Sequence, residues 1–185
     1  RQAFSLAINR EDIVNIYGGL ATAAYRIFSP ALTEYHIDKT LPTYKFDPER
    51  AKELIEESGI AKEDINFSIM TAEFLPTFPS IAEILQSNLR DIGLNPSIDV
   101  RDPGAAINAL AVDKDFDAFL IWSQPYPDPN AYTPWFEGGH SFNWSGLDNA
   151  NANELIRTGK SSSDLSSRKE NYSHPEEILA DESSS

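Results

Sequence analysis

Three stretches of strand character separated by two of helical character constrain this chain more than any other feature. Ile65 to Ala72 (INFSIMTA) alternates apolar and polar residues, as a half-buried strand does. After Pro79, Ile81, Ile84, Leu85, Leu89 and Ile92 recur at helical spacing, and Gly93 closes the pattern. PSIDVRD reads as a second strand, Ala105 to Val112 as a short helix, and DAFLIWSQ (Asp117 to Gln124) as a buried strand. Parallel neighbours need a crossover between them, and a helix is the usual one. Strand–helix–strand–helix–strand therefore predicts an α/β layer with at least partly parallel strands.

Helices flank this layer on both sides in sequence. The opening, RQAFSLAINREDIVNIYGG, predicts two short pieces, the first with Phe4, Leu6, Ala7 and Ile8 as its apolar side. Asn9 is placed to cap the second, Asp12 to complete a capping-box-like pair, and Gly18 to stop it. Leu20 to Tyr44 is aromatic and proline-containing without a clean period, and reads as an ordered loop region. FDPERAKELIEESGI is a strong helix signal: Asp47 caps it, Pro48 takes the first turn and Gly59 ends it. Ala51, Leu54, Ile55 and Ser58 share one face, with Glu49, Glu53, Glu56 and Glu57 on the rest. Two helices finish the chain, about Asn149–Lys160 and Leu165–Asp181. Pro175 is expected to kink the second or start a new turn, and the terminal serines to fray. No internal repeat is present.

The net charge of −14, from 29 acidic and 15 basic residues, would repel a phosphate backbone, and no Lys/Arg cluster counters it. A nucleic-acid partner is therefore not expected. With no cysteine, thiol nucleophiles, cysteine–zinc sites and disulfides are excluded, and the compartment stays open on that count. The 185 residues suit one domain or one large lobe. The start at Arg1, inside a helical pattern, suggests an excised domain or a processed fragment. The sequence offers no G-x-S-x-G, H-E-x-x-H, Walker loop or G-x-G-x-x-G, and most carboxylates sit on helix faces. An enzyme is not expected, and no cofactor is implied.

The most unusual stretch is WSQPYPDPNAYTPWFEGGHSFNW, which carries all three tryptophans in an irregular segment with more aromatic surface than a linker needs. Five segments in order carry a resemblance: RQAFSLAINREDIV, YKFDPERAKELIEESG, IAEILQSNLRDIGLNPSIDV, FDAFLIWSQPYPDPNAYTPWF and DLSSRKENYSHPEEIL. Together they resemble the extracellular solute-binding proteins of family 5, which carry peptides, nickel complexes and some sugars to ABC importers. The resemblance implies a periplasmic-binding-protein type II-like lobe with a mixed sheet flanked by helices. All 185 residues would form a single lobe, the C-terminal one of a two-lobed protein, with the other lobe absent. It also implies a monomer that closes on a peptide-like or other small solute and delivers it to membrane permease subunits. Its location would be periplasmic or extracellular, with any lipid anchor on a segment outside this chain. The alternatives are nickel-chelate or oligosaccharide binding by the same fold, or a ligand-sensing lobe of a transcriptional regulator.

Trp122, Ser123 and Gln124 end the third predicted strand, where open α/β sheets present their ligand crevice, so an indole wall and two polar side chains are expected there. Tyr126, Trp135 and Tyr25 are further candidate aromatic walls, whereas Tyr132 and Trp144 are expected in packing. In peptide-binding members an Asp just before the Tyr-Pro-Asp-Pro segment pairs with the peptide ammonium. Here Pro125 stands in its place and can neither carry charge nor donate. Asp128, between Pro127 and Pro129, reads as a turn-former. His140, in a Gly-Gly-His turn, is a weak candidate nickel ligand by similarity to nickel-binding members. His36 and His174 have no cluster around them in sequence and are given no role.

Overall fold

β1 (Ser68–Ala72) is the centre of a three-stranded sheet, with β2 (Ser97–Arg101) on one side and β3 (Ala118–Phe119) on the other. In this computed structural model, residues 1–25, 28–29, 32–35, 44–124 and 126–184 are described. Both strand pairings among them are parallel, with Ser68 opposite Ser97, Ala72 opposite Arg101, and Ile69 opposite Ala118. α4 (Phe78–Asp91) carries the chain from β1 to β2, and α5 (Pro103–Asn108) stands between β2 and β3, which returns to the far side of β1 to give the order β2-β1-β3. The chain forms two compact units, Arg1–Ala23 with Tyr44–Ser123, and Ala24–Thr43 with Gln124–Ser185.

The first unit is the α/β layer. α1 (Gln2–Ala7), α2 (Arg10–Ile16), α3 (Pro48–Glu57) and α4 bury a common core that includes Ala7, Ala51, Ile55, Ile69, Leu85 and Leu89. Local chemistry sets most of the helix ends. Asp47 accepts from the Arg50 N–H at 3.0 Å, and Pro48 follows it at a position whose N–H would find no partner anyway. Gly93, at φ +89°, lets α4 end in a Schellman turn, with Leu94 N–H donating to Leu89 O at 3.0 Å. The capping pair expected at α2 forms only in part. Asn9 Oδ1 accepts from Glu11 N–H at 3.2 Å, but the Asn9 N–H donates to Asn88 Oδ1 at 2.9 Å instead of turning to Asp12. A residue of α4 thus takes the donor that a capping box would have used.

Two predicted elements shift. α5 starts at Pro103, two residues before the expected Ala105, because Asp102 caps it by accepting from Gly104 and Ala105 N–H. It ends at Asn108 in a wide π turn over Ala109–Asp113, and Lys114 then adopts a left-handed conformation at φ +55°. The strand expected over Asp117–Gln124 is shorter and less buried. β3 pairs at Ala118 and Phe119, and Leu120 N–H adds one bond to Met70 O, although β1 runs on to Ala72.

The second unit contains α6 (Ala150–Ser161) and α7 (Leu165–Ser184) with a small aromatic core of Phe28, Leu32, Tyr132 and Tyr172. α7 runs through the buried Pro175 to Ser184, so no new helix starts at the proline and the serines expected to fray are helical as far as Ser184. Pro175 lacks the N–H that would have bonded to Asn171 O and its ring crowds that carbonyl, yet the helix continues on both sides of it. Among the described residues no helix is long and apolar enough to cross a membrane.

Candidate ligand-binding site

In the first unit β1 and β2 end together at Ala72 and Arg101, β3 stops at Phe119 opposite Met70, and the chain leaves β3 in an exposed segment. Trp122 is 44% exposed, and Ser123 is exposed with it. Exposure of a tryptophan withholds a large apolar area from water-excluding contact, so it is an exception in a chain whose other two indoles are buried or half-buried.

The remaining candidates belong to the second unit. Gln124 and Tyr126 are exposed and Tyr25 is half-buried. Tyr126 is fixed by its backbone: its N–H donates to the Tyr132 hydroxyl at 2.9 Å, and the two rings meet edge to face at 6.0 Å. Tyr132 is itself buried against Phe28, as expected of a packing residue. Pro125 lies outside the described residues, as does His36.

Between Tyr126 and Trp135 the backbone makes two short 3₁₀ turns, Pro129–Ala131 and Thr133–Trp135. Asp128 starts the first by accepting from Asn130 N–H at 2.8 Å, the turn role expected of it. It also does something the sequence reading missed. Arg168 of α7 donates through Nη2 to both Asp128 oxygens, at 2.8 and 2.7 Å. The same guanidinium donates to Gly159 O at 3.0 Å and lies over the Tyr172 ring at 5.2 Å. A hydrogen bond to the Tyr35 hydroxyl raises its pKa above the ordinary arginine value, and the Asp128 charge adds to this. Tyr172 donates to Asn130 Oδ1. The only hint in the sequence is an arginine in a serine- and glutamate-rich helix, and nothing local says that its partner lies 40 residues away.

Trp135 is half-buried, edge to face with Trp144 at 5.1 Å and beside Phe142 at 6.1 Å. The loop that brings these rings together is tied down by Asn153, which accepts from Gly138 N–H at 2.8 Å and donates to Asp148 at 2.7 Å. A Cβ on Gly138 would fall 1.9 Å from Asp148 Oδ1 and 2.6 Å from Asn153 Nδ2, so any larger residue would have to push aside these two side chains and the bond between them. His140 stacks on Phe142, and its Nδ1 accepts from Phe142 N–H at 3.2 Å. That bond uses the ring nitrogen as an acceptor and orients the ring toward its own loop. Among the described residues no three His, Cys, Asp or Glu side chains group to hold a metal ion. The structure thus brings Tyr126, Asp128 and Trp135 onto one braced segment, and leaves Trp122 and Ser123 in the first unit beyond the end of β3, not on the strand expected to carry them.

Comparison with known proteins adds the family. Over 98% of its length the chain is 28% identical to Di/tripeptide-binding protein 1 of Pseudomonas aeruginosa (strain UCBPP-PA14), of which it covers 35%. A solved dipeptide-binding protein from Pseudoalteromonas sp. SM9913, in complex with Met-Leu, superposes with a TM-score of 0.83 at 26% identity, over 97% of this chain and 36% of that one. NikZ from Campylobacter jejuni, in complex with Ni(L-His), gives a TM-score of 0.81 at 25% identity, over 97% of this chain and 39% of that one. The chain therefore spans about a third of the length of these relatives, and its fold is the α/β fold of the periplasmic-binding-protein type II peptide binders. The model of the bacterial extracellular solute-binding proteins, family 5 Middle, matches residues 1–144, and the chain belongs to that family.

Proposed function

We propose that the chain is one lobe, the C-terminal one, of the substrate-binding component of an ABC importer. In this reading the whole protein holds a peptide-like or other small solute between two lobes and hands it to permease subunits outside the cytoplasm. It acts as a monomer and has no catalytic role. Trp122, Ser123, Gln124, Tyr126, Trp135 and Tyr25 supply this lobe's share of the contacts, the aromatic rings as walls and the polar groups as hydrogen-bond partners. The observation that carries the reading is the family match over residues 1–144, which ends on the aromatic segment itself.

Peptide is the first solute to test, because the relatives include proteins named for di- and tripeptides. A nickel chelate is the second, favoured by Pro125: a proline offers no anion to a peptide ammonium. The deciding experiment is to purify the full-length protein, denature it, and analyse what it releases by mass spectrometry and metal analysis. A released peptide supports the first solute and requires an anion elsewhere for its ammonium. Released nickel or a metal chelate supports the second and turns attention to His140. Hydrolysis of added ester, peptide or glycoside by the purified protein would overturn the non-catalytic reading.

A further inference from the structure

Tyr126 and Trp135 stand at the two ends of a segment built from turns, and turns hold their shape only as well as their anchors do. The anchor here is on α7. Arg168 keeps 12% of its side chain exposed and Asp128 47%. An ion pair with one end half in water contributes little stability as such, whereas Arg168 Nη2, bridging both Asp128 oxygens at 2.8 and 2.7 Å while Nη1 is held by Gly159 O, fixes where the carboxylate sits against α7. The same carboxylate accepts the Asn130 N–H at 2.8 Å, and Tyr172, one helical turn beyond Arg168, donates to the Asn130 side chain. Two residues of the turn are therefore bolted to one face of α7. From that turn Thr133 Oγ1 donates to Asn130 O at 3.0 Å, Trp135 N–H to Tyr132 O at 3.2 Å, and the Tyr132 hydroxyl receives the Tyr126 N–H.

We infer that Arg168, acting through Asp128, is a positioning residue that sets solute affinity by holding Tyr126 and Trp135 in their binding arrangement. This rests on the solute-binding reading above. Its physical basis is preorganisation: side chains already held in place lose less freedom when a solute arrives. Arg168 is suited to the task because its fork is planar and has donors to spare for Gly159 O, so the carboxylate is registered against the backbone of α6 as well. Lysine, a single point charge, cannot make the same set of bonds.

The test uses the full-length protein as wild type, Asp128→Asn, Arg168→Lys and Arg168→Met. The readouts are melting temperature, amide exchange over residues 126–135 without ligand, and affinity for alanyl-alanine, tri-alanine and the nickel–histidine complex. Asp128→Asn keeps an oxygen for the Asn130 N–H, so it is expected to melt close to wild type. Exchange in the segment should nonetheless rise about ten-fold, and the dissociation constant for whichever probe binds should rise about ten-fold. Arg168→Lys should show the same split between near-normal melting and weakened binding. Unchanged exchange in both conservative variants overturns the inference. So does a loss of affinity confined to Arg168→Met and proportional to its fall in melting temperature, since Arg168 would then be a stabiliser alone. A wild type that binds none of the probes counts against the transport reading, and the exchange data then decide the role of Arg168 by themselves.

Discussion

Tyr172 has no exposed surface, and burial pushes its phenol up to about 12 from an ordinary value of 10.0, with the Asp128 charge adding to the rise and the Arg168 charge opposing it. The consequence for stability has a definite sign. An acid whose folded pKa lies above its unfolded one contributes fully below the unfolded value and loses that contribution as pH rises toward the folded one. Tyr172 is therefore expected to draw stability down between about pH 10 and pH 12, by roughly 2–3 kcal/mol at most. Urea unfolding of wild type and Tyr172→Phe across that range isolates the effect, because the other tyrosines cancel in the difference. At neutral pH the Phe variant should be weaker by about 1 kcal/mol, for the lost bond to Asn130. Above pH 10 the gap should close and then reverse. A gap that stays constant would mean that the phenol ionises in the folded protein as easily as in the unfolded one.

α6 and α7 meet where a glycine faces an aromatic ring. A Cβ built on Gly159 would lie 2.8 Å from the Tyr172 ring, and that ring is fully buried with T-shaped neighbours Phe28 and Tyr35, so it has nowhere to yield. Gly159→Ala should gain up to about 1 kcal/mol of helix propensity and lose about 1–3 kcal/mol to overpacking. The expected result is a lower melting temperature, read by circular dichroism, and a rise would show that the two helices can part without cost. Asn88→Ala probes the other unit. It leaves the Asn9 N–H without its partner, and should cost about 1–3 kcal/mol of unfolding free energy. Elements set by local chemistry were legible in the sequence: Asp47 with Pro48 and Gly93 after Ile92 act where their neighbours placed them. Asp102 with Pro103 carries the same signal and starts α5 two residues earlier than its apolar pattern does. What depends on a distant partner was not legible. Asn9 is claimed by Asn88 from 79 residues on, and the brace on Asp128 comes from Arg168. Of the candidate site, the aromatic segment could be read in advance, and its anchoring could not.

The chain covers 35% of the length of Di/tripeptide-binding protein 1, so a solute held between two lobes would meet here only part of its contacts. Binding energy does not divide in proportion. The loss of translational and rotational freedom on binding, several kcal/mol, is the same whether a solute meets one lobe or two. A whole protein that binds at micromolar level has about 8 kcal/mol of net affinity. Removing half of the gross contacts while keeping the full entropic cost drives the net affinity below about 4 kcal/mol, the millimolar range. Closure is lost as well, since a solute can favour a closed state only through contacts that are better there on both sides. The expectation is that the 185-residue chain, once shown by circular dichroism to be folded, gives no measurable heat with a solute that the full-length protein binds at micromolar level. The full-length protein should meanwhile become more compact in X-ray scattering when that solute is added. Micromolar binding by the isolated chain would contradict the two-lobe reading directly. It would place the whole site on this chain's own aromatic residues, and Trp122→Ala and Trp135→Ala would then show which unit carries it.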